Sequence, residues 1–328
     1  MNRRIEYKKM KNKMDIKNQS NGMKRRRFLQ IGSAFAASAI YLPISGSNVF
    51  GTLSSNNAKN TLPSVKLNNG LLMPRIGFGT NTLTGDIGER SVYDAISVGY
   101  RLIDTATVYQ NEEAVGAGIK KSGIKREELF VTSKLWVDDS GYENSKKAFQ
   151  TSLDKLGMAY LDLYLYHRPR GDVKGSWKAM EELNREGKIK AIGVSNFDPD
   201  QLTELMSYAK IKPAINQVET HVFFQEPVIY EDLKKKGVQM EAWSPFAAGR
   251  KGIFSNETLA AIGKKYNKSI AQVVLRWHFQ RGIVAIPRSS QKAHMIENLN
   301  IFDFELPKSD MQIIAKLDLN TTVFPEWG

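Results

Sequence analysis

The sequence predicts an α/β protein, a (β/α)8 barrel of the TIM type with an N-terminal β-hairpin and extra C-terminal helices. Three observations predict it. From residue 61 onward, short β-rich runs alternate with longer amphipathic stretches, the pattern of parallel strands joined by helices. Eight such units fit into about 250 residues, the usual size of a closed eightfold barrel. No G-x-G-x-x-G follows a strand, since Gly77-Phe-Gly79 runs on into Thr-Asn-Thr, so an open dinucleotide-binding sheet lacks its fingerprint.

The elements follow in order. Val65-Lys-Leu67 and Leu71-Leu-Met73 flank Asn68-Asn-Gly70, a hairpin signal. Strands are expected at 76–79, 101–104, 129–134, 161–167, 191–195, 214–218, 238–243 and 283–287. Amphipathic helices are expected between them, among others at 144–156, 177–186, 199–208, 228–236 and 269–280. Gly99, Gly123, Gly157, Gly187 and Gly237 each stand after a helical pattern and before a strand, where a left-handed helix stop belongs. A closing helix is expected at 307–317, before a tail ending Phe324-Pro-Glu-Trp327-Gly.

Composition bounds the rest. With 328 residues, 41% of them hydrophobic, the chain has ample material for a core. The net charge of +13 is concentrated at one end: residues 1–27 carry eleven Lys/Arg against two acids, or +9, which leaves +4 for the remainder. That distribution argues against a nucleic-acid partner for the folded part. The absence of cysteine excludes disulfides, thiolate metal sites and thiol nucleophiles, and no metal is expected.

The basic end reads as an address. Lys24-Arg-Arg-Arg-Phe-Leu-Gln30 precedes a mildly apolar run over 31–44, then Ser/Asn/Gly-rich sequence, which is signal-peptide architecture. Arg25 and Arg26 followed by Phe-Leu resemble a twin-arginine export signal. The run is short and contains Pro43, unlike a permanent span of about twenty residues. Two domains are expected: 1–60 as signal segment and linker, with cleavage between 45 and 60, and 61–328 as the barrel. The expected location is the periplasm through the twin-arginine export machinery, or the cytoplasm if the leader does not function. A monomer is expected.

Four ionisable residues stand at or just beyond strand ends: Asp104, Tyr109, Lys134 and His167. If the strands are parallel neighbours, these groups converge on one rim. Reducing a carbonyl needs a hydride on carbon and a proton on oxygen. A tyrosine hydroxyl is a poor acid near neutrality unless a cation favours its anion. Lys134 supplies that cation, Asp104 holds the ammonium, Tyr109 donates the proton and His167 polarises the carbonyl. Taken singly, Tyr109 also fits a rim aromatic and His167 a satisfied strand-end histidine.

The segments Gly77-Phe-Gly-Thr80, Asp104-Thr-Ala-Thr-Val-Tyr109, Glu186-Gly-Lys-Ile-Lys-Ala-Ile-Gly-Val-Ser-Asn196, Asn216-Gln217 and Ala285-Ile-Pro-Arg-Ser289 together resemble the aldo-keto reductase family, in order and spacing, over residues 61–320. Within it the chain is similar to bacterial 2,5-diketogluconate and glyoxal or methylglyoxal reductases. The resemblance implies an NADPH-dependent reductase of aldehydes and ketones, with the cofactor extended across the C-terminal rim. It assigns the four residues the same roles. It implies that Gly79, Thr80 and Asp104 border the cofactor, and that Ser195, Asn196 and Gln217 hold the nicotinamide carboxamide. Trp243 corresponds to a stacking aromatic, or else to ordinary barrel packing, with Ser244 and Phe246 beside the pyrophosphate. Arg288, Ser289, Ser290, His294, Glu297 and Asn298 lie at the adenosine end. Asn81, Trp136 and Arg168 line the substrate pocket.

Two departures from the family pattern carry expectations. His294 stands where an arginine is common, so NADPH is expected to be preferred over NADH by a narrowed margin. His167-Arg-Pro-Arg170 places two guanidiniums beside the site, either as solvated loop charges or as a bias toward anionic keto-acids and sugar acids. Two other readings stay open: a catalytically silent reductase-fold binding subunit, and a barrel aldolase or isomerase using Lys134 as a Schiff-base lysine.

Overall fold

The structure is a computed structural model that describes residues 62–327. The twin-arginine motif, apolar run and linker lie outside the described residues. Described residues begin with an antiparallel hairpin, β1 (Ser64–Lys66) and β2 (Leu72–Pro74), turned at Gly70 with φ 90°. Asn68 and Asn69 donate from their side chains to the carbonyls of Pro213 and Lys190, at the N-terminal ends of two barrel strands. Leu67 and Met73 pack in one cluster with Leu102, Leu163, Ile215 and Val284 of the barrel interior. The hairpin therefore covers the N-terminal mouth and leaves the C-terminal rim for chemistry.

Eight parallel strands run β3 (Phe78–Gly79), β4 (Leu102–Asp104), β5 (Phe130–Leu135), β6 (Leu161–Tyr166), β7 (Ile189–Ser195), β8 (Ile215–Glu219), β9 (Gln239–Trp243) and β10 (Val284–Ala285), each bonded to its neighbour in sequence. Closure follows from pairing of Ile76 with Ala285, with Gly77 N donating to Ala285 O at 2.9 Å and Gly79 N to Pro287 O at 3.0 Å. A Cβ on Gly79 would lie 2.8 Å from the Ile286 carbonyl oxygen, so this seam needs glycine. The expected (β/α)8 barrel is the fold observed.

Ten helices surround the strands among the described residues: α1 (Gly85–Ser97), α2 (Glu112–Ser122), α3 (Tyr142–Leu156), α4 (Val173–Arg185), α5 (Pro199–Tyr208), α6 (Pro227–Lys236), α7 (Glu257–Tyr266), α8 (Ile270–Gln280), α9 (Lys292–Leu299) and α10 (Lys308–Ala315). α5 and α8 begin with capping boxes, Asp198 with Gln201 and Ser269 with Gln272. α2 and α3 end on left-handed Gly123 and Gly157. The strands are buried on both faces, which is why they read as near-continuous apolar runs.

Side-chain alternation decides what the interior holds. Ile103, Val131, Tyr164, Ile192, Val218 and Met240 pack outward against helices. Their neighbours along each strand must then point inward. That parity places Asp104, Lys134, His167, Ser195, Gln217 and Glu241 inside, all near the C-terminal ends.

Candidate active site

Lys134 is fully buried, and its ammonium makes three hydrogen bonds: to Asp104 Oδ1 at 2.5 Å, Thr105 O at 2.8 Å and Tyr109 OH at 3.4 Å. An ammonium has three N–H donors, so none is left over. The phenol oxygen accepts from the lysine and keeps its own hydrogen for another partner. Tyr109 is positioned by a 3-10 turn, Thr107–Tyr109, that β4 leads into; Thr107 Oγ1 donates to Lys134 O and pins this turn to β5.

Burial works against the Lys134 charge, but Asp104 and Tyr109 outweigh it and hold its pKa above the ordinary lysine value. Tyr109 departs from the expectation. Burial raises its pKa more than Lys134 lowers it, so the net direction is upward. The phenol holds its proton firmly, and the lysine reduces the cost of releasing it rather than ionising the group beforehand.

His167 follows the last residue of β6, its N–H donating to Leu135 O at 3.1 Å. Burial, then the charges of Lys134 and Arg168, push its pKa well below the usual value, so the imidazole is neutral. Nδ1 is buried without a hydrogen-bond partner among the described residues, which favours placing the single ring proton on Nε2. Its ring meets Tyr109 and Trp136 edge-on, with centroids 5.9 and 5.1 Å apart. The four expected residues therefore come together, with Trp136 beside them.

The expected cofactor residues divide. Ser195 Oγ donates to Gln217 O, and the Asn196 amide donates to His167 O and Ser195 Oγ while its Oδ1 accepts from Trp243 Nε1 at 2.8 Å. These two brace the rim. Gln217 instead donates from Nε2 to Asp104 Oδ2 at 2.8 Å and Glu241 Oε2 at 2.9 Å, which leaves Oε1 to accept from a carboxamide. Thr80 is buried and bonds Asp104 O, tying the end of β3 to β4. Trp243 ends β9, with its ring centroid 5.1 Å from that of Phe324 in the C-terminal tail. Ser244 has φ 47°, and Phe246 packs near Phe254.

At the adenosine end, Arg288 and His294 are exposed, Ser290 is half-buried, and Ser289 Oγ lies 3.5 Å from His294 Nδ1. Glu297 is half-buried on α9. Asn298 is buried, with its side chain bonded to the Tyr100 hydroxyl. Asn81 lies in the turn after β3.

Arg168 is half-buried within the electrostatic reach of Tyr109, while Arg170 is exposed. Both border a rim cavity of about 410 Å³ together with Asn196, Trp243, Phe324 and three acids, Asp198, Glu219 and Glu226. Burial, then Glu219 and Asp318, push the Glu226 carboxyl up to about 7. The cavity thus has mixed charge rather than a purely cationic lining.

Glu241 and the tail residue Phe324 were missed in the sequence. A signal for Glu241 existed: an acid two residues before Trp243 in a strand otherwise fit for burial. Phe324 carried no such signal, because only the fold brings the tail to the rim.

The sequence profile described as Aldo/keto reductase family matches residues 75–319. The chain is 49% identical over 264 residues to glyoxal reductase of Bacillus subtilis (strain 168), covering 80% of this chain and 95% of that protein. It is 40% identical over 265 residues to methylglyoxal reductase DkgA of Escherichia coli (strain K12), covering 80% and 96%. Among solved structures it is similar to a Bombyx mori aldo-keto reductase in complex with NADP, with a TM-score of 0.76 and 37% identity, covering 80% of this chain and 94% of that one.

Proposed function

The chain belongs to the aldo/keto reductase family, and we propose that it reduces small aldehydes and ketones, dicarbonyls foremost, with NADPH as the hydride source and Tyr109 as the proton donor. The observation that carries this reading is a fully buried Lys134 held 2.5 Å from Asp104 and 3.4 Å from the Tyr109 hydroxyl. The names of two relatives, glyoxal reductase and methylglyoxal reductase, support small dicarbonyls as the substrate class.

Gln217 fits a nicotinamide because two carboxyls take its N–H groups and turn its carbonyl oxygen outward. When bound, the cofactor supplies a hydride. The chain's own residues do the rest. Neutral His167 donates a hydrogen bond to the substrate oxygen and orients it. As negative charge develops there, Tyr109 releases its proton to that oxygen. Lys134 stabilises the phenolate left behind, and Asp104 keeps the ammonium in place. A binding-only role gives no reason for burying this ion pair beside a half-buried phenol. A Schiff-base role is disfavoured because Asp104 keeps the amine protonated.

Arg168 adds a preference for carbonyl compounds carrying a carboxylate. His294 leaves NADPH preferred by a modest margin. The basic leader directs the folded protein to the twin-arginine machinery, and the mature barrel acts as a monomer. The reading is tested by following NADPH oxidation with a panel of dicarbonyls, neutral aldehydes, keto-acids and keto-sugars. Turnover is expected and strongest with small dicarbonyls; an enzyme inert to the whole panel overturns it.

A further inference from the structure

Beside the four reacting residues lies a second buried carboxyl, one that touches Gln217 and takes no step in the proton transfer. Glu241 sits on β9 in register with Gln217 of β8 and Val284 of β10, and is fully buried. Its Oε2 accepts from Gln217 Nε2 at 2.9 Å, while the same nitrogen donates to Asp104 Oδ2 at 2.8 Å. Its Oε1 has no hydrogen-bond partner among the described residues. One amide thus bridges two carboxyls, and only Asp104 has a cation in contact.

We propose that Glu241 is a positioning residue that works as a neutral acid: together with Asp104 it orients Gln217 so that the amide oxygen faces the cofactor carboxamide, and losing its proton turns carbonyl reduction off. The inference rests on the reductase reading and names a control within that same site.

The geometry carries it in two steps. A primary amide flips freely unless its partners discriminate oxygen from nitrogen. Asp104 and the Glu241 carbonyl oxygen are both acceptors, so each takes one N–H and the amide oxygen must point the other way. Next, a carboxylate beside Asp104 with an oxygen lacking a donor costs far more than a neutral acid there. The groups facing Glu241 are Asp104 from β4, Lys134 from β5 and the Gln217 amide from β8; β10 offers apolar Val284. Burial and then Asp104 push its carboxyl up to about 8, against Gln217 and Lys134. Once ionised, Glu241 raises the pKa of Tyr109 and weakens it as an acid.

The sign for stability follows. The unfolded carboxyl has the ordinary value of 4.5 and the folded one about 8, so between those values the folded state binds more protons and stability falls as pH rises. Glu241→Gln keeps an acceptor oxygen for Gln217 but cannot ionise. Glu241→Met keeps the volume and removes the acceptor.

The test compares the full-length wild type with both variants by Tm, by NADPH affinity from fluorescence, and by kcat/KM against pH. The expected result is that Glu241→Gln gains Tm relative to wild type as pH rises from about 5 to 8, and that its alkaline loss of reduction moves to higher pH. Glu241→Met is expected to bind NADPH about tenfold more weakly, the worth of one oriented hydrogen bond. A Tm gap that is flat across that range, or an unchanged alkaline limb in Glu241→Gln, overturns the proposal. If Glu241→Met does not fold, Glu241→Gln decides alone. A wild type inert to every carbonyl sinks the reductase reading instead, and the Tm gap still reports whether Glu241 carries the proton.

Discussion

A lysine with no exposed surface is worth burying only where its charge is matched, and Lys134 is matched by Asp104, Thr105 and Tyr109 at once. Residue by residue, the site is a set of acceptors placed to hold one cation and one phenol. Arg168 makes the substrate preference testable. Arg168→Gln is expected to raise KM for a keto-acid about tenfold or more, as losing a hydrogen bond to a charged group does, and to leave a neutral aldehyde unaffected. Equal effects on both substrates would make it a loop charge. His294 makes cofactor choice testable through kcat/KM for NADPH and NADH: a narrowed preference is expected, because imidazole lacks the bidentate fork, and a ratio of about a thousandfold would contradict it. The four central residues were legible in the sequence because strand ends fix where they stand. The upward direction of the Tyr109 pKa was not, since burial depends on neighbours from other strands. Asn196 and Ser195 were legible as rim residues but not as braces, for the same reason.

At the scale of elements, the strands were legible as buried apolar runs, and five helices as amphipathic patterns with glycine stops. α1 and α2 were marked only by their stops, Gly99 and Gly123, and α7 and α9 were not picked out. In α1 and α2 the reason is glycine within the helix, which lowers intrinsic propensity. Packing requires it: a Cβ on Gly116 would lie 2.4 Å from Leu156 O, and one on Gly118 would lie 2.5 Å from Glu89 O. Tertiary contact thus chose the residue that local propensity disfavours. The barrel seam repeats the argument at Gly79. Gly79→Ala is expected to cost about 1–3 kcal/mol by overpacking against the Ile286 carbonyl, seen as a Tm lower by several degrees. A Tm equal to wild type would show that the seam can open to admit a methyl group.

For the whole molecule, charge and fold separate cleanly. Most of the excess positive charge lies in residues 1–27, ahead of a barrel with its N-terminal mouth closed by the hairpin and its chemistry on the opposite rim. No helix among the described residues is long and apolar enough to cross a membrane. If the leader is a working twin-arginine signal, cell fractionation with N-terminal sequencing will find a periplasmic form beginning between residues 45 and 60. A cytoplasmic protein that still begins at Met1 would refute export. The central claim is that Lys134 lets the Tyr109 phenol give up its proton beside a bound nicotinamide, and Tyr109→Phe tests it most directly. The variant is expected to keep its fold and its NADPH fluorescence response while NADPH oxidation with a small dicarbonyl falls about a hundredfold or more; turnover near the wild-type rate would contradict the account.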